Sequence, residues 1–347
     1  MKSVHLVIPD LFLPKDFAAE VCAGLSMPAL EKMLGRGHSE ILDPDPLEEM
    51  LCKLFDIPLR KDDSLGDGCL GDAPIAAVSA VFDGLSEGYW LRADPVHLRL
   101  QRDQMLLLAH SEISSEEAVQ MCASLNEHFA GQGMEFFAPH PQRWYVRLGS
   151  LPDIRTRPIS QVIGGDVRRA LPTGADAAHW HRVFNEIQML LFAHPSNESR
   201  DERGELTINS LWLWGAGHSD GVSPQKNYGS ASSDEVLVEM LAAAAGVPFS
   251  AWAGQWQDAQ NAGGQLLVWT GLSSALQSGD LAAWRNALQD FESGYVQPLW
   301  QALRDGKIAQ LKLDILSADG VRRIILKRGD AWSFWRRARR LNEYSLV

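Results

Sequence analysis

Cysteine is scarce in this chain of 347 residues. The four cysteines, Cys22, Cys52, Cys69 and Cys122, show no CxxC spacing and fall far below the density of a secreted disulfide scaffold. We therefore expect reduced, buried thiols in a cytoplasmic protein.

Long apolar runs are absent as well. The N-terminal segment MKSVHLVIPD reaches Asp10 before the apolar region of a signal peptide could form. No apolar stretch approaches the ~18 residues that a membrane-spanning helix needs. The sequence therefore predicts a soluble cytoplasmic protein with no membrane partner.

Positive charge is in short supply, with one local exception. The chain has 32 Lys and Arg against 44 Asp and Glu, which gives a formal net charge of −12. Because phosphate backbones need a cationic protein surface, this balance argues against nucleic acid as a partner. The sign reverses in residues 321–347, where eight Lys and Arg against two acidic residues give about +6 and leave about −18 on the remainder.

The composition is otherwise that of a folded globular chain. Hydrophobic residues make up 46% and charged residues 22%, which excludes disordered, collagenous and coiled-coil classes. The length suits one large domain or two ordinary ones.

Alternating strand and helix patterns predict an α/β core. Residues 4–8 form a β-branched apolar run that ends at Pro9-Asp10, which is typical of a buried parallel strand with a carboxylate at its tip. In open α/β sheets, ligands bind at such tips. A helix at 234–245, a strand at 264–270 and a helix at 280–303 continue the alternation, and strands at 308–316 and 321–327 read as a hairpin.

The pattern changes from Tyr89 onward to paired strands. Strands are predicted at 89–100, 104–109, 134–138 and 143–148, and the capping box Ser114-Ser115-Glu116-Glu117 opens a helix that runs to about Ala130. This block has the pattern of a separate, smaller α+β unit. A long helix at 175–194 and a strand at 207–214 then return to the core pattern.

Three local motifs leave functional and structural readings open. Gly217-His218-Ser219-Asp220-Gly221 matches the GxSxG nucleophile elbow, but a loop rather than a helix follows it, so an ordinary glycine-rich loop is favoured. Near the end of the 175–194 helix, Asn197 and Arg200 offer an amide and a guanidinium fork that could bind a phosphate or carboxylate. Helix capping together with surface charge explains these residues too, and the spacing alone favours this structural interpretation. Residues 331–340 pair aromatics with arginines, as a surface that binds nucleic acid or membrane does, but we favour a terminal helix that packs Trp332, Phe334 and Trp335 on the sheet.

Several strings together resemble the cofactor-independent phosphoglycerate mutases of the short, archaeal-type class. The last of them, Asn-x-(Ile/Leu)-Trp-Leu-Trp-Gly-x-Gly, is the most specific, and the resemblance looks closest to the branch called RpfE-type regulatory proteins. The strings are Val7-Ile8-Pro9-Asp10, Ser26-Met27-Pro28-Ala29-Leu30-Glu31-Lys32-Met33-Leu34, Ile113-Ser114-Ser115-Glu116-Glu117-Ala118, His194-Pro195-Ser196-Asn197 with Arg200 and Gly204, and Asn209-Ser210-Leu211-Trp212-Leu213-Trp214-Gly215-Ala216-Gly217.

The resemblance implies an α/β fold of the alkaline phosphatase superfamily. The expected architecture is a three-layer core with a mostly parallel sheet, into which a smaller α+β domain is inserted. The core would comprise residues 1–85 and 173–347, and the inserted domain residues 86–172, in agreement with the change of pattern at Tyr89.

The resemblance also implies a two-metal phosphoryl transfer through a serine nucleophile, but most of that site is missing from the sequence. Asp10 matches the first metal-ligand position. Ser273 and Gln277 occupy places where the family has metal ligands, and Pro46 stands about where it has the serine. The family's late Asp-His string is also absent, so Asp10 is the one matching ligand of the several that a divalent pair requires.

Three hypotheses follow. The favoured one is a metal-free, catalytically degenerate relative that binds or regulates and takes no cofactor, with a polar cluster for a phosphorylated or carboxylated small molecule formed by Asn197, Arg200, Asn209, Arg92 and Arg143. The second is an active phosphoglycerate mutase or phosphatase that uses Mn²⁺ or Mg²⁺. The third is a protein-interaction module that binds a protein partner through the C-terminal Trp/Arg segment.

Overall fold

A computed structural model of the protein describes residues 2–60, 73–108, 112–258 and 263–344. The loop expected at 62–72 and Cys69 lie outside the described residues. The chain forms two compact units. The first is Met1–Phe55 with Pro224–Val347, and the second is Asp56–Ser223.

The elements are numbered in chain order. The strands are β1 Ser3–Pro9, β2 His38–Leu42, β3 Tyr89–Gln101, β4 Gln104–Leu108, β5 Met134–His140, β6 Arg143–Leu148, β7 Ser210–His218, β8 Ser230–Ser233, β9 Phe249–Ala251, β10 Gln265–Val268, β11 Gln310–Ser317 and β12 Gly320–Lys327. The α-helices are α1 Lys15–Val21, α2 Pro28–Arg36, α3 Leu47–Leu54, α4 Ile75–Phe82, α5 Ser115–His128, α6 Ala177–Phe192, α7 Pro195–Glu202, α8 Val236–Ala244, α9 Ser273–Gln277, α10 Leu281–Phe291 and α11 Gln297–Asp305. A π-helical turn, Glu292–Val296, joins α10 to α11.

The first unit contains a mixed sheet in the order β2-β12-β11-β1-β10-β8-β9. Strands β11, β1, β10, β8 and β9 are parallel to their neighbours in that run, whereas β12 and β2 are antiparallel at one side. The predicted hairpin is confirmed, since β11 and β12 pair up to Ser317 and Gly320. A mixed α/β fold is therefore observed.

One face of this sheet is apolar because side chains alternate along each strand. Leu6 and Ile8 of β1 and Leu313 and Ile315 of β11 lie in one buried cluster with side chains of α2, α10 and α11. The opposite face carries His5, Asp314 and Arg323, which the register of β1, β11 and β12 sets side by side.

The second unit contains a sheet in the order β4-β3-β6-β5, with β7 also paired to β3. Its core includes Trp144 of β6, Trp180 of α6 and Leu125 of α5. The predicted capping box is confirmed: Glu117 N–H donates to the Ser114 hydroxyl at 3.1 Å, and the Glu117 carboxylate accepts from Ser114 N–H at 2.9 Å.

Strand β7 lies in the second unit, although the sequence pattern placed it in the core. It pairs antiparallel with β3, from Tyr89 opposite His218 to Val96 opposite Ser210. Gly217 allows close approach of the start of α4, because a Cβ there would lie 2.7 Å from the Cβ of Pro74, which caps α4, and 3.0 Å from that of Ala77. The predicted inserted segment 86–172 falls inside the second unit, and its boundaries stay a prediction.

The C-terminal segment corrects one expectation. Instead of a helix packed on the sheet, it forms a 3₁₀ turn at Arg328–Trp332 and another at Leu341–Tyr344. Trp332, Phe334 and Trp335 are 52%, 70% and 77% exposed, so the predicted packing of all three is wrong. Among the helices that the structure describes, none has the length and apolar character needed to cross a membrane.

Candidate functional site

Asp10 lies at the carboxyl end of β1, where the strand pattern predicted a carboxylate. Its backbone has a φ of +58°, a left-handed conformation that Asp tolerates better than most residues. Its N–H donates to the Leu316 carbonyl at 3.1 Å, and its own carbonyl accepts from the Trp284 indole at 3.3 Å. These bonds fix the carboxylate beside the neighbouring strand ends.

The side chain that meets Asp10 is a serine. Ser273, the first residue of α9, follows strand β10, which is the parallel neighbour of β1. Its hydroxyl donates to Asp10 Oδ2 at 2.6 Å. The resemblance described above implies a metal-ligand position at Ser273, and the fold brings that residue to Asp10.

The residues at this edge do not fit a two-metal centre. Asp234, which follows β8, accepts from Thr270 N–H at 2.8 Å, and Asp280 caps α10 by accepting from Ala283 N–H at 2.8 Å. Within residues 2–60, 73–108, 112–258 and 263–344, no group of three His, Cys, Asp or Glu converges as a metal site. Mn²⁺ and Mg²⁺ need several anionic oxygens in one place, whereas Asp10 meets a neutral hydroxyl and the carboxylates of Asp234 and Asp280 are engaged by backbone N–H groups.

A buried polar network occupies the face of the first unit's sheet opposite its apolar core. The Asp314 carboxylate accepts from His5 Nε2 at 2.8 Å and from Arg323 Nε and Nη2 at 2.7 and 2.9 Å. His5 Nδ1 lies 2.8 Å from the Tyr228 hydroxyl, and Lys312 Nζ lies 3.6 Å from Asp314. Since the carboxylate only accepts, His5 Nε2 carries the proton, and a neutral His5 accepts from Tyr228 at Nδ1.

Burial and charge act in opposite directions in this network. Burial lowers the pKa of His5, and the adjacent Asp314 offsets this only in part. Burial on its own raises the pKa of Asp314, but the hydrogen bonds from His5 and Arg323 outweigh it and hold that pKa well below its usual range. The network therefore contains a neutral imidazole beside an ionised carboxylate at neutral pH.

Sequence reasoning missed this network, although a signal was present. His5, Lys312 and Asp314 interrupt otherwise apolar strands at alternate positions, which marks one polar face. The pairing of His5 with Asp314 joins residues 309 positions apart. Only the sheet register shows which residues meet.

The lowered pKa of His5 predicts a loss of stability in mild acid. Below the unfolded-state pKa of about 6.5, the unfolded chain takes up a proton that folded His5 resists, so the free energy of unfolding falls as pH decreases. The variant His5→Asn cannot bind that proton. We expect it to be less stable than the wild type at pH about 7.5, and the difference in melting temperature to shrink by pH about 5.5.

The matched control is His38→Asn, since His38 is exposed on β2 of the same unit. Its melting temperature should follow that of the wild type across the same pH range. A constant difference between His5→Asn and the wild type at all pH values would contradict the neutral state of folded His5.

The structure brings Asn197 and Arg200 together on α7, where both are buried. The Asn197 amide donates to the Leu191 and Ile208 carbonyls at 2.7 and 2.8 Å and accepts from Ile208 N–H at 2.8 Å. Arg200 donates to the Leu206 and Glu112 carbonyls, both at 2.8 Å, and to Glu117 Oε2 at 3.1 Å. Both side chains hold the turn between α7 and β7.

Asn209 has a comparable role at the start of β7. Its amide accepts from Leu98 N–H at 2.7 Å and donates to the Leu98 carbonyl at 2.9 Å. It therefore extends the pairing between β3 and β7 by one side-chain bridge.

Arg92 and Arg143 both lie near Tyr145, Arg92 over its ring and Arg143 through the shared partner Asp83. Arg92 lies 5.2 Å above the Tyr145 ring and donates to Asp94 through Nε at 3.1 Å. Arg143 donates to both oxygens of Asp83 at 2.9 and 2.7 Å, and the Tyr145 hydroxyl also donates to Asp83. Each of the two predicted ligand-binding arginines thus has a carboxylate partner in its own unit.

The GxSxG string is part of a strand end rather than a nucleophile elbow. The Ser219 hydroxyl donates to the Gly88 carbonyl at 3.1 Å and accepts from Gly88 N–H at 2.8 Å. Ser219 begins a 3₁₀ turn of three residues, so the helix of an elbow does not follow. The predicted loop is therefore only partly observed, because Gly217 and His218 belong to β7 and Ser219–Gly221 forms a short turn.

Comparisons with known proteins give distant relatives over part of the chain. The 2,3-bisphosphoglycerate-independent phosphoglycerate mutase of Methanosarcina mazei is 26% identical over 179 residues, which is 49% of this chain and 43% of the relative. This chain is distantly similar to such mutases. A probable mutase of the same name from Geobacter sulfurreducens is 26% identical over 153 residues, 42% of this chain and 38% of the relative. The chain thus matches about two fifths of the length of these curated relatives, and no family model matches it.

Two solved structures are similar to most of the length of this chain. A protein from Pyrococcus horikoshii superposes with a TM-score of 0.50 at 15% identity and covers 94% of this chain and 87% of that one. The cofactor-independent phosphoglycerate mutase of Thermoplasma acidophilum gives a TM-score of 0.45 at 15% identity, with 95% and 90% covered. The similarity to the Pyrococcus protein supports a shared α/β fold.

Proposed function

We propose that this protein is a catalytically degenerate relative of the cofactor-independent phosphoglycerate mutases, with a binding or regulatory role. The observation that carries the proposal is the hydrogen bond of 2.6 Å from the Ser273 hydroxyl to Asp10 Oδ2. The branch of RpfE-type regulatory proteins is the part of the family in which we place it.

The physical reason is the charge of the ligand set. A divalent pair in phosphoryl transfer neutralises the charge on the transferred group and lowers the pKa of the nucleophile. Ser273 supplies no negative charge, and its proton occupies one of the oxygens of Asp10. One carboxylate cannot compensate two divalent cations, so the rate enhancement that metals provide is lost.

The expected nucleophile is missing too. Pro46, which the resemblance places about where the family has its serine, has no hydroxyl and directly precedes α3. The nearby Ser39 lies on β2, where its hydroxyl accepts from Arg322 Nη1 at 3.4 Å. Both parts of the phosphoryl-transfer machinery therefore depart from the mutase pattern.

A phosphorylated or carboxylated small molecule is the class of ligand that we propose for the binding role. The proposal draws on the resemblance and on the arginines of the second unit. Because Arg143 and Arg92 already bind Asp83 and Asp94, a phosphate would have to compete with those carboxylates. A rise in melting temperature with 3-phosphoglycerate, absent in Arg143→Gln, would support this ligand class.

Metal analysis with a turnover assay tests the loss of catalysis. We expect substoichiometric Mn²⁺ after equilibration of the purified protein with the metal, and no conversion of 3-phosphoglycerate with Mn²⁺ or Mg²⁺ present. The Methanosarcina mazei mutase, assayed in parallel, is the positive control. Two bound Mn²⁺ ions per chain, with turnover that a chelator abolishes, would instead establish an active metal-dependent mutase.

A further inference from the structure

The segment 331–344, which we call the strap, is held against α2 mainly through backbone groups. Arg36 Nη1 donates to the Ala331 carbonyl at 2.7 Å, and Arg336 Nη1 donates to the Arg36 carbonyl at 2.7 Å. Further along, Leu341 N–H donates to Glu31 Oε1 at 3.3 Å. A Cβ on Gly35 would lie 2.9 Å from the Ala338 Cα, so glycine permits this close approach.

This anchoring leaves the large side chains of the strap facing solvent. Ala331, Ser333 and Leu341 are buried, whereas Trp332, Phe334 and Trp335 are 52%, 70% and 77% exposed. The Phe334 and Trp335 rings lie 6.4 Å apart, edge to face. Contiguous exposed aromatics of this size are unusual on a soluble surface and mark interaction sites.

The same segment carries more positive charge than its own single acidic residue, Glu343, neutralises. Arg336, Arg337, Arg339 and Arg340 are exposed. In the part of the chain that the structure describes, the guanidinium groups of Arg337, Arg339 and Arg340 form no hydrogen bond or close ion pair, although the charge of Arg340 acts on the nearby Glu31 carboxylate. The strap, with four Arg against Glu343, is thus a local cationic region of about +3 in a chain whose remainder carries about −15.

We propose that the strap is a docking site for an acidic protein segment that carries apolar side chains. Trp and Arg are the residues enriched at energetic centres of protein interfaces. Arginine binds carboxylates through two parallel hydrogen bonds, and the exposed rings supply apolar area beside them. The charge of the strap therefore specifies acidic partners, and its aromatics specify apolar side chains between the acids.

Charge also favours a short protein segment over an extended polyanion. Exposed charges interact over a Debye length of about 8 to 10 Å. A membrane surface or a nucleic acid is larger than this, so it would extend past the strap and its negative charge would be repelled by the acidic remainder of the chain. A short segment contacts the strap alone. Binding of the strap to a membrane or to a nucleic acid is therefore tested as an alternative result.

Fluorescence anisotropy of a defined probe tests the proposal. The probe is a fluorescein-labelled synthetic peptide of Glu and Asp interspersed with Phe and Leu, and its comparator replaces the acids with Gln and Asn. We expect the full-length protein to bind the acidic peptide at least about tenfold more tightly than the neutral one. The triple variant Arg337→Glu/Arg339→Glu/Arg340→Glu and the double variant Phe334→Ser/Trp335→Ser should each weaken the acidic peptide by at least about tenfold.

Two control variants show whether the effect depends on where the charged and aromatic residues lie or only on their number. Arg99→Glu/Lys226→Glu/Lys307→Glu makes the same change in net charge at exposed positions outside the strap. Phe192→Ser removes an aromatic that is 82% exposed on α6. Both controls should keep wild-type affinity. All the substituted side chains are exposed, so unchanged melting temperatures confirm that the variants fold.

Several results would overturn the proposal. Equal binding of the acidic and neutral peptides would exclude recognition by charge. An equal loss of affinity for the acidic peptide in the control triple variant would exclude the strap as the binding site. Binding to phosphatidylserine vesicles or to an oligothymidylate, with no binding of the peptide, assigns the strap to membrane or nucleic acid. Self-association that disappears in the strap variants, again without peptide binding, assigns it to a second copy of the chain.

Discussion

Replacing Asp314 with alanine is expected to lower the free energy of unfolding by about 3 to 5 kcal/mol. Asp314 is fully buried and accepts hydrogen bonds from His5 and from two nitrogens of Arg323. Lys312 adds a third group within 4.0 Å. Removing this buried anion leaves the imidazole and Lys312 without their hydrogen-bond and charge partner, and leaves Arg323 with only the more exposed Glu40. Breaking a buried pair on one side in this way costs more than the original ion pair contributed.

The control for this variant shares one of its partners. Glu40 lies 3.8 Å from Nη1 of the same Arg323, but its side chain is 43% exposed, whereas that of Asp314 is fully buried. Glu40→Gln should therefore change the stability by about 0 to 1 kcal/mol. Urea denaturation curves followed by tryptophan fluorescence give the comparison, with the variants' slopes checked against that of the wild type. Similar urea midpoints for Asp314→Ala and Glu40→Gln would show that the buried network contributes little.

Local patterns were sufficient to predict much of the fold. The run that ends at Asp10, the capping box at Ser114 and the β11–β12 hairpin are each specified within a few consecutive residues. Turn chemistry, caps and alternation act at that range, so a single sequence contains them. The same local patterns do not specify where an element lies in the tertiary structure. Strand β7 has a clear strand pattern, but that pattern does not specify β3 as its partner.

The same limit explains why the exposure of the aromatic side chains of the strap was not predicted. A stretch of aromatics and arginines is equally compatible with rings packed inward and with rings facing solvent. The backbone contacts with Gly35 and Arg36 decide the matter, and those residues lie about 300 positions earlier in the chain. Pattern alone favoured packing because isolated exposed tryptophans are uncommon.

The residues of the predicted ligand cluster carry groups that can bind phosphate, but the sequence does not show which groups they hydrogen-bond in the folded protein. An amide and a guanidinium are suited to bind phosphate. In the structure, those of Asn197 and Arg200 satisfy backbone carbonyls of their own turn. A conformation that frees such groups must replace several buried hydrogen bonds, which composition and spacing do not reveal. Asp10 is different, because its place at a strand end followed from the strand pattern itself.

Arg200 supplies a second large effect, this time in the second unit. We expect Arg200→Met to lower the free energy of unfolding by about 3 to 5 kcal/mol, although methionine keeps the apolar length of the side chain. Arg200 is only 2% exposed. Its loss leaves the Leu206 and Glu112 carbonyls without these donors and removes one cation from Glu117. Each buried acceptor left unsatisfied costs about 1 to 3 kcal/mol, so the hydrogen bonds rather than the volume account for the change.

Arg203 is the matched control, because it donates to the other oxygen of the same Glu117 at 2.8 Å. Its side chain is 47% exposed and also pairs with the exposed Glu205, so water can replace what Arg203→Met removes. We expect that variant to change the stability by about 0 to 1 kcal/mol. Urea denaturation of the two variants should therefore separate their midpoints clearly. If Arg200→Met unfolds at the same urea concentration as Arg203→Met, Arg200 is not a structural residue, and its guanidinium becomes available again as a ligand-binding group.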